Sequence, residues 1–441
     1  MRDWSPEHLA AAAGAVIASS PAAPAPPGAA PSGPLRATID SRDVRPGDLF
    51  FGLPGSRTDG GRFAADVLRA GAWGVLVAPQ HAHVSSSHGL VLFADDPLAA
   101  LQALARAWRR ELGAQVVAIT GSTGKTSTKD LCAAMLRQDR RVVASEQNLN
   151  TEIGLPLTIL GAPPGTEALV LELAMRGSGQ IAELAEIASP DVGVIVNVGP
   201  VHLALLGSQD AVVAAKAELL AGLRAGATAV LPAREPRLDA HRRDDLRIVT
   251  FGEGGDVAAL GELELPFSSG HMRSNALAAL AAARAVGAEP HGMLDVTLSA
   301  LRGQRLELPG PVIVIDDCYN ANPMSMRAAL DDLFASASAS GRRVAVLGDM
   351  LELGPDELRF HEQIGAYASD RGVDVLIAVG PLAAYMGARF GGELHLVDDA
   401  PAAAVLVGEL VRPGDTVLVK GSRGIGLEVV AEGLRAAAAG A

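Results

Sequence analysis

Cysteine is almost missing from this chain: its 441 residues include only Cys132 and Cys318. The two lie far apart and in no CxxC or metal-ligand spacing. That argues against a disulfide framework and a structural zinc site, and it fits a reducing compartment, the cytoplasm. Aromatic residues are scarce at 3%, and cations are in deficit, with 37 Lys and Arg against 50 Asp and Glu and a formal charge of −13. Such a chain has no sequence-independent grip on nucleic acid, which needs a basic field. A small anionic substrate is still within reach, through a few placed cations and backbone N–H groups. A long apolar run is also lacking, so no membrane association is expected. The uncharged residues 9–35 come nearest. Their apolar part, 9–18, is mostly alanine and too short to span, and Asp3 and Glu7 stand where a signal peptide carries positive charge. The Pro/Ala-rich segment 21–34 that follows cannot be helical. A short helix followed by a loose Pro/Ala loop is the expectation.

Apolar residues, by contrast, are plentiful at 49% against 20% charged, enough to bury several cores. At about 150 residues per domain the length suggests about three domains. The apolar residues come in short packets. DLFFGL (48–53), WGVLVA (73–78) and LVLFA (90–94) read as strands of a first unit, with a helix over 97–112 leading out of it. QVVAIT (115–120), ALVLEL (168–173) and DVGVIVNVG (191–199) read as buried parallel strands alternating with helices. PVIVIDD (311–317), RRVAVLGD (342–349), DVLIAVG (374–380) and TVLVK (416–420) repeat that alternation. The fold class is therefore α/β. Three domains are expected: a smaller α/β unit over 1–112, a central doubly wound sheet over 113–308, and a Rossmann-like sheet over 309–441.

The chemistry starts at TGSTGKT (120–126), after a strand and opening a helix. In that context Gly121 and Gly124 let the N–H groups of Thr120, Ser122, Thr123 and Ser127 and their neighbours gather on one phosphate, aided by the helix N-terminus. Lys125 can reach the terminal phosphates, and the Thr126 hydroxyl can ligate Mg²⁺. The strict motif places a Gly where Ile119 stands, so this is a shortened version; a Gly-rich turn with a chance GKT is the alternative. Glu172 lies near the end of an apolar strand, where a carboxylate is expensive unless it binds something. His202 follows the next strand by a short turn. Strand ends of an open parallel sheet line one crevice, so Thr126, Glu172 and His202 can converge on one or two Mg²⁺ ions. A structural acid and a capping histidine are the plainer readings.

These residues also carry a family resemblance. TGSTGKT, NLNTEIGLP (148–156), LELAMRGSGQI (171–181) and NVGPVHL (197–203) resemble the Mur ligases. YNANP (319–323), GDMLELG (348–354) and KGSRG (420–424) are similar to the branch that joins D-Ala-D-Ala to UDP-MurNAc-tripeptide, and DSRDVRPGDLFFGLPG (40–55) fits its uridine-nucleotide domain. The resemblance implies an ATP- and Mg²⁺-dependent ligase of cell-wall precursor synthesis that works through an acyl phosphate, as a monomer.

Several residue roles rest on the resemblance alone. Lys216 matches a lysine carbamylated in many members, which would serve as a further metal ligand. Asn275 matches a residue near adenine, with His271 one helical turn before it. Arg305 matches the arginine that reaches the ATP phosphates, and Asp317 an acid near the ribose. Asn148, Asn320 and Asn322 fall in substrate-binding motifs, though Asx-turn chemistry before Pro323 explains the last two equally. Ser41 and Arg42 match the loop near the uridine diphosphate. Three places depart from the family: Gly61 where histidine is common, Gln304 where glycine usually precedes the arginine, and LPARE (231–235) after its strand.

Other readings fare worse. KGSRGIG (420–426) imitates a dinucleotide-binding turn, but too little chain follows for the βαβ unit it needs. A sister ligase adding the third stem-peptide residue usually carries DNPR, which is missing. Folylpolyglutamate synthase leaves the DSR-containing region unexplained, and a GTPase switch would carry NKxD.

Overall fold

The computed structural model describes residues 1, 3–19, 33–84, 88–267, 269–338 and 341–440. Almost all of the Pro/Ala-rich segment 21–34 lies outside the described residues. Three sheets dominate. The first has five strands in the order Val16–Ser19, Leu90–Phe93, Gly74–Val77, Asp48–Phe51, Arg36–Thr38, parallel except for the first pair. The expected short helix forms over Pro6–Ala13 and ends at the left-handed Gly14; the end of the apolar stretch 9–18 is instead in the strand Val16–Ser19, along the sheet edge.

The second sheet is six-stranded and parallel throughout, in the order Arg247–Phe251, Thr228–Pro232, Val192–Ile195, Gln115–Thr120, Ala168–Glu172, Val142–Ala144. The three central strands are short β-branched runs with nearly every side chain buried, as a sheet covered on both faces requires. Their register fixes the site. Ile119 pairs with Glu172 on one side and Val194 on the other. The exits of these three strands therefore stand side by side at one edge.

The third sheet runs Gln304–Leu308, Val312–Asp316, Thr416–Lys420, Arg343–Gly348, Val375–Val379, Glu393–Val397, parallel except for its first pair. Gln304–Leu308 was expected in the central unit, whose boundary was drawn after it at 308. It instead pairs with Val312–Asp316 through a tight turn at Gly310 and extends the third sheet.

The helix Pro97–Leu112 forms over the expected span. Asp96 accepts from the N–H groups of Leu98 and Ala99 at its start, and the left-handed Gly113 ends it. It ties the first sheet to the second. Trp108 Nε1 donates to Ala162 O at 3.0 Å, and Arg109 bonds to Ala188 O, Ser189 O and Asp191. One apolar cluster accordingly runs from Leu49 and Leu92 through Leu104 and Trp108 to Leu169 and Leu184.

Candidate active site

A cleft of about 1270 Å³ separates the exits of the second sheet from those of the third, and residues of both line it. This is the crevice that an open parallel sheet offers at its carboxyl ends.

The loop at 121–124 connects Gln115–Thr120 to the helix Lys125–Leu136. Gly124 takes φ +74°, and a Cβ there would come within 2.5 Å of the Asn275 side-chain oxygen. Both conformation and space demand glycine. The strand exit at 197–199 braces the loop. Asn197 Oδ1 accepts from Thr123 N at 3.0 Å, and its Nδ2 donates to Thr123 O and Oγ1. Ser122 Oγ donates to Gly199 O and accepts from Gly199 N. Thr120 Oγ1 donates to Leu173 O, Thr126 is buried, and Thr126 and Ser127 line the cleft. Lys125 folds back so that Nζ donates to Gly121 O at 2.8 Å. Burial pushes its pKa down, Glu172 opposes that, and Arg302 adds to it.

Beside the loop sits an unbalanced set of charges. Glu172 is 3% exposed. Its Oε1 accepts from Asn150 Nδ2 at 2.9 Å, while Oε2 is buried with no partner. Lys216, on the helix Gln209–Ala221, is 2% exposed. It makes neither a hydrogen bond nor an ion pair with any described residue. Burial and then the charge of Lys125 hold its pKa well below the lysine range. His202 also lines the cleft, with Nδ1 2.7 Å from Glu352 Oε2. Burial lowers its pKa, Glu352 opposes this, and Lys125 and Lys216 reinforce it.

Thr126, Glu172, His202 and Lys216 thus share one wall. Among the described residues no group of three or more His, Cys, Asp or Glu side chains could hold a metal unaided. That fits Mg²⁺, which takes one or two carboxylates and leaves its other positions to water and nucleotide phosphates. The Glu172 oxygen without a hydrogen-bond partner lines this wall and leaves a lone pair available to a cation.

The opposite wall comes from the third sheet. Lys420 is buried; its Nζ donates to Asp317 Oδ2 at 2.6 Å and to Asn320 O at 2.9 Å, pinning the turn after Val312–Asp316. Asn320 Oδ1 accepts from Ala321 N. Asn322 caps the helix Pro323–Ser336: its Oδ1 accepts from Ser325 N while its own N–H donates to Ser325 Oγ. Both asparagines line the cleft, as does Asn148, but the Asn322 carbonyl is committed to the cap. His271 lines the cleft near Asn275, with Nδ1 3.2 Å from Ser269 Oγ.

One expected placement differs. Arg305 does not line the cleft. It lies within Gln304–Leu308 and bonds to Asp332 at 3.0 Å and Ser336 at 2.6 Å on the helix beneath. Arg302, in the preceding turn, lines the cleft, with its guanidinium 3.7 Å over the Tyr319 ring and its charge felt at Lys125. Ser41 and Arg42, expected near the uridine diphosphate and not in this cleft, lie in the first unit, on the turn after Arg36–Thr38, where the exposed Arg42 is paired with Asp40 at 2.7 Å. At Gly61 the missing histidine has a stand-in. A Cβ there would lie 2.3 Å from the imidazole of His81, whose Nε2 is 2.8 Å from Asp59 Oδ2. Residues 232–235 line the cleft, and Arg237 donates to Val198 O. Sequence reading passed over Asn150, Asn197, Arg302 and Glu352. Of these, Asn150, Asn197 and Glu352 sit inside motifs already singled out, and only Arg302 lies outside them.

Three family profiles match in chain order: "Mur ligase family, catalytic domain" over residues 37–109, "Mur ligase middle domain" over 119–283 and "Mur ligase, glutamate ligase domain" over 301–423. The UDP-N-acetylmuramoyl-tripeptide–D-alanyl-D-alanine ligase of Bacillus subtilis is 34% identical, with 90% of this chain and 92% of the relative covered. That of Synechocystis is 38% identical, with 90% and 91% covered. Among solved structures, MurF from Acinetobacter baumannii aligns with TM-score 0.85 at 27% identity, covering 98% of this chain and 99% of the other. MurF ligase from Thermotoga maritima in complex with ADP aligns with TM-score 0.79 at 30% identity, covering 91% and 97%. With three family profiles matching in chain order and relatives above 30% identity covered over nine-tenths of their length, the chain belongs to the Mur ligase family.

Proposed function

We propose that this chain joins D-alanyl-D-alanine to UDP-N-acetylmuramoyl-tripeptide with ATP hydrolysed to ADP and phosphate, as a cytoplasmic monomer in peptidoglycan precursor synthesis. The observation that carries the reading is the wall shared by Lys125, the orphaned Glu172 oxygen and the unpaired Lys216, opposite the turn at 317–322. The full-length likeness to the D-alanyl-D-alanine-adding ligases supports it.

A carboxylate is a poor acyl donor, because oxide would have to leave. In the first step the tripeptide carboxylate attacks the γ-phosphorus of ATP and ADP departs, leaving an acyl phosphate. The dipeptide amine, neutral when it attacks, adds to the acyl carbon, and phosphate leaves as the amide forms. Two anions meet in the first step, so the site must offset their repulsion. Lys125 and the loop N–H groups serve that end. Bound Mg²⁺ would neutralise phosphoryl oxygens, held by Thr126, Glu172 and His202. Lys216 would join them after its neutral amine adds CO₂ and sheds a proton. The carbamate turns repulsion from Lys125 into attraction, which relieves a buried cation pair. Asn275 and Asp317 are assigned to the nucleoside, Asn148, Asn320 and Asn322 to the peptides, and Ser41 and Arg42 to the uridine diphosphate. Arg302 takes the phosphate-facing role first assigned to Arg305.

ATP turnover measured with and without the two substrates tests the reading. Release of ADP that requires UDP-MurNAc-tripeptide is expected, with amide product only when D-Ala-D-Ala is present. Turnover indifferent to both would remove it.

A further inference from the structure

The second and third sheets touch at the cleft through two residues whose backbones are both strained. His202 has φ +54° and Glu352 has φ +63°, in the left-handed region that L side chains rarely adopt. Such conformations persist where surrounding contacts over-determine them. On the Glu352 side those contacts are explicit. Met350 N donates to His361 Nε2 at 2.9 Å and Leu351 N to Ser422 Oγ at 3.0 Å. Asp349 Oδ1 accepts from Leu382 N and Ala383 N. The loop after Arg343–Gly348 is therefore a fixed ledge, and it presents Glu352 across the cleft. There Glu352 Oε2 lies 2.7 Å from His202 Nδ1, and the Glu352 carbonyl accepts from Ala204 N at 3.3 Å.

A carboxylate can only accept, so Nδ1 carries the proton and the lone pair is left on Nε2. That is the tautomer an imidazole needs to serve as a metal ligand, and a carboxylate in this second position is how such ligands are commonly oriented. We propose that Glu352 is a positioning residue: from the third sheet it holds His202 of the second in its cation-binding form, so that the nucleotide-bound divalent cation is gripped fully only when the two sheets are docked. The inference rests on the ligase reading. It adds that cation affinity depends on a residue outside the cation's own wall.

The test uses the full chain, with Mn²⁺ standing in for Mg²⁺ and its binding in the presence of ADP followed by electron paramagnetic resonance. Glu352→Ala and Glu352→Lys, neither able to accept the bond, should weaken Mn²⁺ binding about 10-fold. Glu352→Gln retains an acceptor and should stay near wild type. In a His202→Ala background, Glu352→Ala should cost nothing further. The KM for the metal–ATP complex should rise in Glu352→Ala more than kcat falls. Wild-type Mn²⁺ affinity in Glu352→Ala or Glu352→Lys, or an equal loss with and without His202, overturns the proposal. A wild-type chain that binds no Mn²⁺ with ADP sinks the ligase reading itself, and this inference with it.

Discussion

Lys125 and Lys216 stand buried in one wall with a single unpaired carboxylate oxygen near them, and their chemistry diverges from there. Lys125 sits at the start of a helix with its ammonium against a loop carbonyl, aimed where phosphate charge develops. Replacing it with alanine should slow tripeptide-dependent ADP release by at least about 100-fold, the usual consequence of losing one preorganised electrostatic donor. UDP-substrate binding, followed by calorimetry, should be nearly unchanged; equal rates in mutant and wild type contradict the loop assignment. Lys216 is different because nothing in the described protein balances it. Its folded pKa lies below the unfolded one, so between the two values the unfolded chain binds the extra proton, and stability rises with pH toward the ordinary lysine value near 10.4. Each tenfold loss of proton affinity is worth about 1.4 kcal/mol. In CO₂-free buffer at pH 7, Lys216→Met should therefore melt above wild type, and the gap should narrow toward pH 10. Bicarbonate should raise the Tm of wild type but not of the mutant. A gap constant with pH would show that Lys216 carries no such burden.

Among the elements, the helix Pro323–Ser336 shows why a motif residue can have two employments. Asn322 closes a reciprocal cap with Ser325 and also faces the cleft. Asn322→Ala should cost about 1 kcal/mol of stability, the ordinary worth of such a cap. Asn322→Ser restores the cap without the amide. If Asn322→Ser recovers Tm yet keeps a raised KM for D-Ala-D-Ala, the residue also binds substrate; full recovery of both limits it to capping. Legibility follows the same line between local and remote. The buried strands were readable because both faces are covered, so their apolar runs are continuous. The edge strand Glu393–Val397, ELHLV, and the strand Gln304–Leu308, QRLEL, are half solvated and polar at alternate places, so their sequences lack that continuous apolar signal. That weak signal leaves the boundary at 308, after a strand that pairs into the third sheet. It also hid that Arg305, lying in a strand, points to the helix below, whereas Arg302 in the turn is free to reach the cleft.

For the whole molecule, the cleft is the product of two sheets whose carboxyl edges face one another, so catalysis requires them to meet. Small-angle scattering should show the chain compacting when a nonhydrolysable ATP analogue, Mg²⁺ and UDP-MurNAc-tripeptide are all present; scattering unchanged by the full set of ligands would count against closure. Much of this architecture is present in contiguous residues. A strand, a glycine turn and a helix start make a phosphate loop from one short stretch, and apolar packets alternating with helices make a parallel sheet, because each depends only on near neighbours along the chain. The pairing of His202 with Glu352, 150 positions away, the imidazole of His81 filling the space above Gly61, and the exchange of roles between Arg302 and Arg305 could not be read that way. They are distances between side chains brought together by packing, and no spacing along the chain encodes them.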